Sequence, residues 1–292
     1  MTRWILISDL QLGHADPRVE DHYERMRIMI DHVVREAPDF IINGGDHING
    51  AVTDGEAERR NVQRMWADYH RVTRPLMELC PVISVIGNHD QMGQAAHPKV
   101  YCRQTGRAGK PTYYSATIGG VKVVALDVAE RRHHGGFAAG TAQHKWLRQL
   151  LVRRRQARCT VAVGHFPIFL APWLYDNSDS SLHYNEVTGY EGTLLPMLLD
   201  AGVDLYLCGH HHIYERTRYR RLTQVIAGAP EEVAFKQLLS VPPNKHCRVV
   251  DERSCYVRFT LTGKTIRGEA VALDGDVIDT WAQRLNRARD GV

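Results

Sequence analysis

The sequence predicts an α/β fold, a four-layer αββα sandwich in which two mixed β-sheets are flanked by helices. The first third of the chain alternates apolar strand-like runs with helical patterns, which is typical of a mainly parallel sheet covered by helices. After His212 the strand-like segments follow one another without helices, which indicates antiparallel pairing. The chain has 292 residues, of which 43% are hydrophobic, and this is enough for one large packed domain.

The first third of the chain is predicted to run β-α-β-α-β. Its strands are Arg3–Ile7, Asp39–Asn43 and Pro81–Ile86. Asp16-Pro17 marks the start of the first helix, because proline fits the first helical position, and Asp54 is a candidate cap for the second helix. Apolar residues recur at helical spacing along both segments. They are Val19, Tyr23, Met26, Ile30 and Val33 in the first helix, and Val62, Met65, Trp66 and Tyr69 in the second.

The middle of the chain mixes strands with two helices. Gly119-Gly120 separates two strand-like runs and predicts a hairpin. One helix is predicted from Thr141 to about Arg155, with leucines on its inner face, and a short one from Gly192 to Asp200. The predicted strands of this part are Thr112–Ile118, Val121–Asp127, Cys159–Val163 and Val203–Cys208.

The last part of the chain is predicted to complete the second sheet. Its antiparallel strands are Thr223–Ala227, Cys255–Leu261 and Thr265–Leu273. The end of the chain, Thr280–Arg289, is expected to form a surface helix. Because no repeat, low-complexity run or linker interrupts the chain, we expect a single domain over residues 1–292, in which residues 215–292 complete the second sheet and end in this helix.

The composition gives little information about binding partners, but it indicates the cellular compartment. The net charge of +4 is too mild to argue strongly for an anionic partner. None of the six cysteines forms a C-x-x-C pair, so free thiols in a reducing compartment are expected. The N-terminal apolar run is too short for a signal peptide, and no apolar stretch reaches about 18 residues. A cytoplasmic protein without a membrane segment is therefore predicted.

Five short polar clusters each follow an apolar run. They are Ser8–His14, Gly44–Asn49, Gly87–Asp90, Gly164–Pro167 and Gly209–His212. Any one of them could be an ordinary turn, but five in order after strands favour a shared site. In open α/β sheets, ligands collect at the carboxyl ends of the strands, where side chains from separate strands converge. The converging set is Asp9, Asp46, Asn88, His165, His210 and His212, with Gln11 beside Asp9.

These donors suit Mn, Fe or Zn, because carboxylates, imidazoles and an amide are the ligands these ions take in the absence of thiolates. The clusters resemble the D-x-H, G-D, G-N-H-D/E, G-H and G-H-x-H motifs of the calcineurin-like metallophosphoesterase superfamily over about residues 4–214. Residues 142–147 and 209–217 look like the corresponding stretches of purple-acid-phosphatase-like members. The resemblance implies a hydrolase that holds two divalent metal ions.

The resemblance also implies a role for each matching residue. Asp9 and His212 would bind the first metal, and Asp46 would bridge both metals. The ligands of the second metal would be Asn88, His165 and His210. His89 would protonate the leaving group, with Asp90 orienting it, and Asn88 and His89 would also contact the substrate.

Two positions depart from the motifs. Gln11 stands where the first motif has histidine, and Asn49 stands where purple acid phosphatases have tyrosine. A D-x-Q start is similar to that of manganese-dependent ADP-ribose/CDP-alcohol pyrophosphatases and CPPED-type phosphatases. Because a glutamine carbonyl is a harder and weaker donor than imidazole, we expect Gln11 to bind the first metal less tightly and to favour Mn over Zn. His14 is an alternative ligand, or a residue that lines the substrate pocket.

The predicted reaction is phosphoester hydrolysis, in which a hydroxide bridging two metals attacks phosphorus in line. Gln11 and the aromatic segment Phe166–Tyr190 favour a phosphodiester or a nucleotide-type pyrophosphate as substrate. The alternatives are a phosphomonoester or phosphoprotein phosphatase, and a scaffold that keeps the fold without the chemistry. The expected partner is a small phosphoester or nucleotide. Nucleic acid is possible but not favoured, and the oligomeric state stays open.

Overall fold

The structure is a computed structural model, and it describes residues 1–13, 19–51, 55–91, 97–129, 137–152, 157–169, 190, 192–228 and 245–286. Several predictions from the sequence fall outside these residues. They concern the helix start at Asp16-Pro17, the cap at Asp54, the alternative ligand His14 and most of the aromatic segment after Phe169.

The described elements follow the chain in this order: β1 (Thr2–Ile7), α1 (Val19–Glu36), β2 (Phe40–Asn43), α2 (Glu56–Leu79), β3 (Val82–Ser84), a 3-10 turn (His89–Gln91), α3 (His97–Gln104), β4 (Tyr114–Ile118), β5 (Val121–Ala125), α4 (Ala142–Val152), β6 (Cys159–Val163), α5 (Leu194–Asp200), β7 (Leu205–Cys208), β8 (Tyr214–Tyr219), β9 (Leu222–Ile226), β10 (Cys247–Asp251), β11 (Cys255–Thr262), β12 (Thr265–Ala272) and β13 (Val277–Arg284). The predicted β-α-β-α-β start and the β4–β5 hairpin are confirmed.

The strands form two mixed sheets. The first has the order β13-β12-β11-β1-β2-β3, in which β1, β2 and β3 are parallel and the others antiparallel. The second has the order β10-β8-β9-β7-β6-β5-β4, and its central strands β5, β6, β7 and β9 are parallel. The parallel strands of each sheet point their carboxyl ends in a common direction, and a shared site can form at that end.

Three apolar layers hold the sheets and helices together. The middle layer lies between the sheets, where Trp4 stacks between Phe40 and Phe259 of the neighbouring strands at ring-centroid distances of 5.7 and 5.2 Å. A second layer packs the other face of the first sheet against α1 and α2, and a third packs the second sheet against α4 and α5. This arrangement confirms the predicted four-layer αββα sandwich.

The end of the chain differs from the prediction. The segments Cys255–Leu261 and Thr265–Leu273 do not complete the second sheet, because β11 pairs with β1 and thereby extends the first sheet. Thr280–Arg289 is not a helix over its described part, since it continues β13 as far as Arg284. Burial alternates along this strand, with Trp281 and Gln283 buried between exposed neighbours, and a period of two is typical of a strand. Pairing with β11 also removes the free edge that β1 would otherwise have.

Strands β8 and β10 and helix α3 were not predicted from the sequence. None of the six cysteines, all of which lie within the described ranges, forms a disulfide. Within the described ranges, no helix combines the length and the apolar character that crossing a bilayer requires.

The two sheets are also joined by a polar contact at one side of the sandwich. The carboxylate of Asp279 on β13 accepts hydrogen bonds from Tyr214 Oη and Arg216 Nε on β8, each at 2.6 Å. Asp279 and Arg216 expose 8% and 17% of their side chains, so solvent screens the pair only weakly.

We predict that Asp279→Ala lowers the free energy of unfolding by about 2–4 kcal/mol, because it leaves a largely buried guanidinium and a phenol hydroxyl without their acceptor. Urea denaturation measures this change. Asp276→Ala is the matched control on the preceding turn. Its carboxylate is 75% exposed, and its loss should cost no more than about 0.5 kcal/mol. Equal losses for the two variants would contradict the role given to Asp279.

Candidate metal centre

The predicted ligands come from loops that follow five strands of the two sheets. Asp9 follows β1, Asp46 follows β2, and Asn88 follows β3 in the first sheet. His165 follows β6, and the His210–His212 loop follows β7 in the second sheet. Since the middle layer brings the sheets face to face, the loops of both sheets meet at one end of the sandwich. The prediction that these clusters converge holds for every member within the described residues.

The tightest part of the centre is built by Asp46, His165 and His210. One ligand atom from each of these three residues lies within 4.8 Å of the other two. His165 Nε2 is 3.1 Å from Asp46 Oδ2 and 2.9 Å from Asn88 Oδ1. The four residues that the motifs assign to the second metal therefore surround a common point.

The chemistry of these atoms fits a divalent cation. His165 Nδ1 donates a hydrogen bond to the carbonyl of Gly44 at 2.9 Å, which leaves a lone pair on Nε2 in the neutral ring. Nε2 faces a carboxylate oxygen and an amide oxygen, so these three atoms converge on a position that suits either a proton on Nε2 or a cation that replaces this proton. Burial alone would lower the pKa of His165, but the carboxylates of Asp46 and Asp9 outweigh it and raise the pKa to about 9.

Burial and the neighbouring imidazoles hold the pKa of His210 well below its usual value of 6.5. This ring is therefore neutral near pH 7, which is the form in which an imidazole binds a metal. The pKa of Asp46 stays below its usual value although burial pushes it upward, because the nearby His165 ring stabilises the carboxylate. Asp46 is thus anionic, as a bridging ligand must be.

The residues assigned to the first metal lie next to Asp46 and His165. His212 Nε2 is 3.5 Å from Asp9 Oδ1, and both oxygens of Asp9 accept hydrogen bonds from the backbone N–H of His210. Gln11 Nε2 lies 3.4 Å from Asp46 Oδ2 and 3.2 Å from His212 Nε2. Turning this amide over would present its oxygen to the same space. The structure therefore brings Gln11 into the centre, and its role as a ligand stays a prediction.

Backbone strain is concentrated in these loops. Positive φ angles, which non-glycine residues seldom adopt, occur at Asp9 (57°), Gln11 (41°), Asp46 (52°), His210 (75°) and His212 (52°). Such residues persist where the surrounding structure holds them, and they are typical of functional sites. Gly87 allows a close approach of its loop, because a Cβ at this position would lie 2.0 Å from Asp46 Oδ1.

His89 is at the open side of the centre. Its backbone N–H donates to Asp46 Oδ1 at 2.8 Å, and its Nε2 lies 3.9 Å from Asp46 Oδ2. The ring Nδ1 donates to the backbone carbonyl of Asn49 at 2.9 Å. The side chain is 27% exposed, so Nε2 can reach a bound ligand.

The prediction that Asp90 orients His89 is corrected by these contacts. Asp90 accepts hydrogen bonds from the backbone N–H groups of His47 and Gly87, each at 2.9 Å, and from His47 Nδ1 at 2.8 Å. Its carboxylate is therefore occupied by the two loops, and the Asn49 carbonyl orients the His89 ring. Sequence reasoning missed this because a backbone acceptor has no signature in the residue type. It also assigned no role to His47, whose position directly after Asp46 was the available signal.

The chain is similar to known proteins in sequence and in fold. Residues 2–214 match the sequence model of the calcineurin-like phosphoesterase family. The chain is 27% identical over 166 residues to a probable purple acid phosphatase from Arabidopsis thaliana, covering 53% of this chain and 36% of the relative. It is 27% identical over 165 residues to the serine/threonine-protein phosphatase CPPED1 from Bos taurus, covering 56% of this chain and 51% of that relative.

The chain thus spans between about a third and a half of the length of these two relatives. A purple acid phosphatase structure from yellow lupin seeds shares the fold with a TM-score of 0.70 at 15% identity, over 97% of this chain and 53% of that one. Because the family match covers more than half of the chain, the chain belongs to the calcineurin-like phosphoesterase family.

Proposed function

We propose that this protein is a hydrolase, a metal-dependent phosphoesterase that works with two divalent metal ions. The observation that carries the proposal is the position of Asp46. Its Oδ2 lies 3.1 Å from His165 Nε2 and 3.4 Å from Gln11 Nε2, which is one residue from each of the two predicted ligand sets. A carboxylate in contact with residues of both sets is suited to bridging two cations. The phosphatases named among the relatives support the same reaction class.

The two metal ions would supply Lewis acidity and an activated water when bound. Asp9, Gln11 and His212 would hold the first ion, Asn88, His165 and His210 the second, and Asp46 both. His89 would supply the proton to the leaving group. Because its Nδ1–H is held by the Asn49 carbonyl, Nε2 is left to carry the proton that goes to the departing oxygen.

The relatives favour a phosphomonoester as substrate, since one is named an acid phosphatase and another a serine/threonine-protein phosphatase. A phosphodiester or a nucleotide-type pyrophosphate is the second candidate, and Gln11 in the first motif favours it. We expect a small phosphoester or nucleotide rather than nucleic acid, because the net charge of the chain is only +4.

Manganese is the proposed metal, because all the candidate ligands are oxygen and nitrogen donors and Gln11 offers an amide where the motif has imidazole. A cytoplasmic location is part of the same proposal, and it is supported by six cysteines that form no disulfide, which fits a reducing compartment.

We predict that metal-free protein reloaded with Mn²⁺ hydrolyses p-nitrophenyl phosphate faster than its bis-ester, cyclic nucleotides or ADP-ribose, and that Zn²⁺, Mg²⁺ and Fe²⁺ restore less activity. Steady-state kcat/KM for each metal and substrate measures this. Asp46→Asn is the control, since it removes the bridging charge. Preference for the diester or for ADP-ribose would select the second candidate substrate. Metal binding without hydrolysis of any substrate would reject the enzyme and favour a scaffold.

We predict that His89→Ala lowers kcat about 10²- to 10⁴-fold for an alkyl phosphate and much less for p-nitrophenyl phosphate. A poor alkoxide leaving group needs a proton in the transition state, whereas nitrophenolate departs without one. Single-turnover rates on both substrates measure the difference. His32→Ala, on α1 beside Tyr256, is the control and should leave both rates unchanged. Equal losses on the two substrates would remove the proton-donor role.

We predict that Gln11→His raises the Zn²⁺ affinity of the first site and narrows the preference for Mn²⁺, because imidazole is the stronger and softer donor. Titration of metal-free protein with each ion by calorimetry measures the two affinities separately from activity. Gln11→Leu is the control, and it should weaken the binding of both ions. An unchanged Zn²⁺/Mn²⁺ affinity ratio in Gln11→His would mean that Gln11 does not contact the metal.

A further inference from the structure

The side chain of His47 is buried in full directly after Asp46, and the metal ligand set does not use it. Its Nδ1 donates a hydrogen bond to Asp90 Oδ2 at 2.8 Å, between two side chains that are both 0% exposed. A titratable pair is costly to bury, so its retention here calls for a role.

The pair connects two loops that carry metal ligands. One loop contains Asp46, and the other contains Asn88 and His89. The Asp90 carboxylate accepts a ring N–H and a backbone N–H from His47 in the first loop, and a backbone N–H from Gly87 in its own loop. Without the His47 ring, the loops would keep only the weaker backbone contacts at this point.

The other side of the His47 ring faces an aromatic cluster. Ring-centroid distances are 5.6 Å to Trp66, 5.0 Å to Tyr69 and 5.6 Å to Tyr101. His47 Nε2 has no hydrogen-bond partner within the part of the chain that the structure describes, and neither has Trp66 Nε1 or Tyr101 Oη. A phenyl ring would suit these surroundings better than an imidazole does. The hydrogen bond from Nδ1 to Asp90 is therefore the interaction that accounts for an imidazole at this position.

We propose that His47 is a positioning residue: through Asp90 it sets the distance between the Asp46 loop and the Asn88–His89 loop, and so the geometry of the second metal site. The proposal rests on the proposed two-metal function. It explains how Asp46, Asn88 and His89 reach a common point although they follow two different strands. His47 touches neither metal nor substrate and acts only through the loops.

Three substitutions separate the Nδ1 contact from packing. An asparagine amide nitrogen occupies the position of Nδ1, so His47→Asn keeps a donor to Asp90. A glutamine amide nitrogen corresponds to Nε2, so His47→Gln keeps polarity but not this donor. His47→Phe keeps the ring shape and removes the donor.

The first measurement is the affinity of each metal-free variant for Mn²⁺, by calorimetry. We expect His47→Phe and His47→Gln to bind the second Mn²⁺ about 10- to 100-fold more weakly than the native protein, and His47→Asn to stay close to it. The matched control is His70→Phe on α2. Its ring also lies beside Trp66 and Tyr69, but its Nε2 contacts Gln104 instead of Asp90, so its Mn²⁺ affinity should be unchanged.

Urea unfolding and kcat and KM on p-nitrophenyl phosphate accompany the titrations. Equal Mn²⁺ affinities for the three variants, with a loss of stability alone, would overturn the proposal and leave His47 a packing residue. If His47→Phe does not fold, the Mn²⁺ affinities of His47→Asn and His47→Gln are compared, and equal affinities would overturn the proposal in the same way. If the native protein hydrolyses no phosphoester but the affinity series still holds, the proposed function fails and the positioning role stands.

Discussion

The buried carboxylate of Asp46 is the interaction on which the rest of the site depends. It is 1% exposed, and burying a carboxylate is costly unless its oxygens are paired. The His89 backbone N–H, His165 Nε2 and Gln11 Nε2 approach it from three loops at 2.8, 3.1 and 3.4 Å. Asp46 itself has a positive φ of 52°. The loop that contains Gly87 and His89 can approach Asp46 closely because Gly87 has no side chain. Each loop is therefore shaped around one anionic group.

The apolar layers of the sandwich provide the stability that this arrangement of loops requires. Strained loops and a buried charge cost stability, and the apolar layers offset it. The layer between the sheets packs residues of the first sheet, such as Trp4, against residues of the second, such as Val161. It keeps both sheets face to face, so that the loops after β2 and β6 present Asp46 and His165 to each other. Slippage between the sheets would separate these two groups. The cores therefore fix the ligand distances and do more than stabilise the fold.

The sequence revealed the candidate ligands more readily than the residues that support them. Asp9, Asp46 and His165 are chemically distinctive and follow apolar runs, so residue type and local pattern were sufficient to find them. The pairing of β1 with β11 joins residues such as Trp4 and Phe259 that lie far apart in the chain, and no local pattern encodes it. For the same reason the sequence did not predict strand β13. It also did not predict the contact between His89 and the Asn49 carbonyl, because any residue at position 49 would supply a carbonyl.

Gln11 makes the two halves of the centre unequal. In the half that contains His165 and His210, the candidate donors are two imidazoles, an amide oxygen and the shared carboxylate. On the other side an amide that can turn over replaces the imidazole of the motif, and in the structure its nitrogen points at Asp46 and His212. A cation on this side must compete with those two hydrogen bonds before it gains the amide oxygen. We therefore expect the first site to bind its ion more weakly and Gln11 to influence which ion it accepts, whereas the candidate ligands of the second site, His165 and Asp46, are already held in place by the protein.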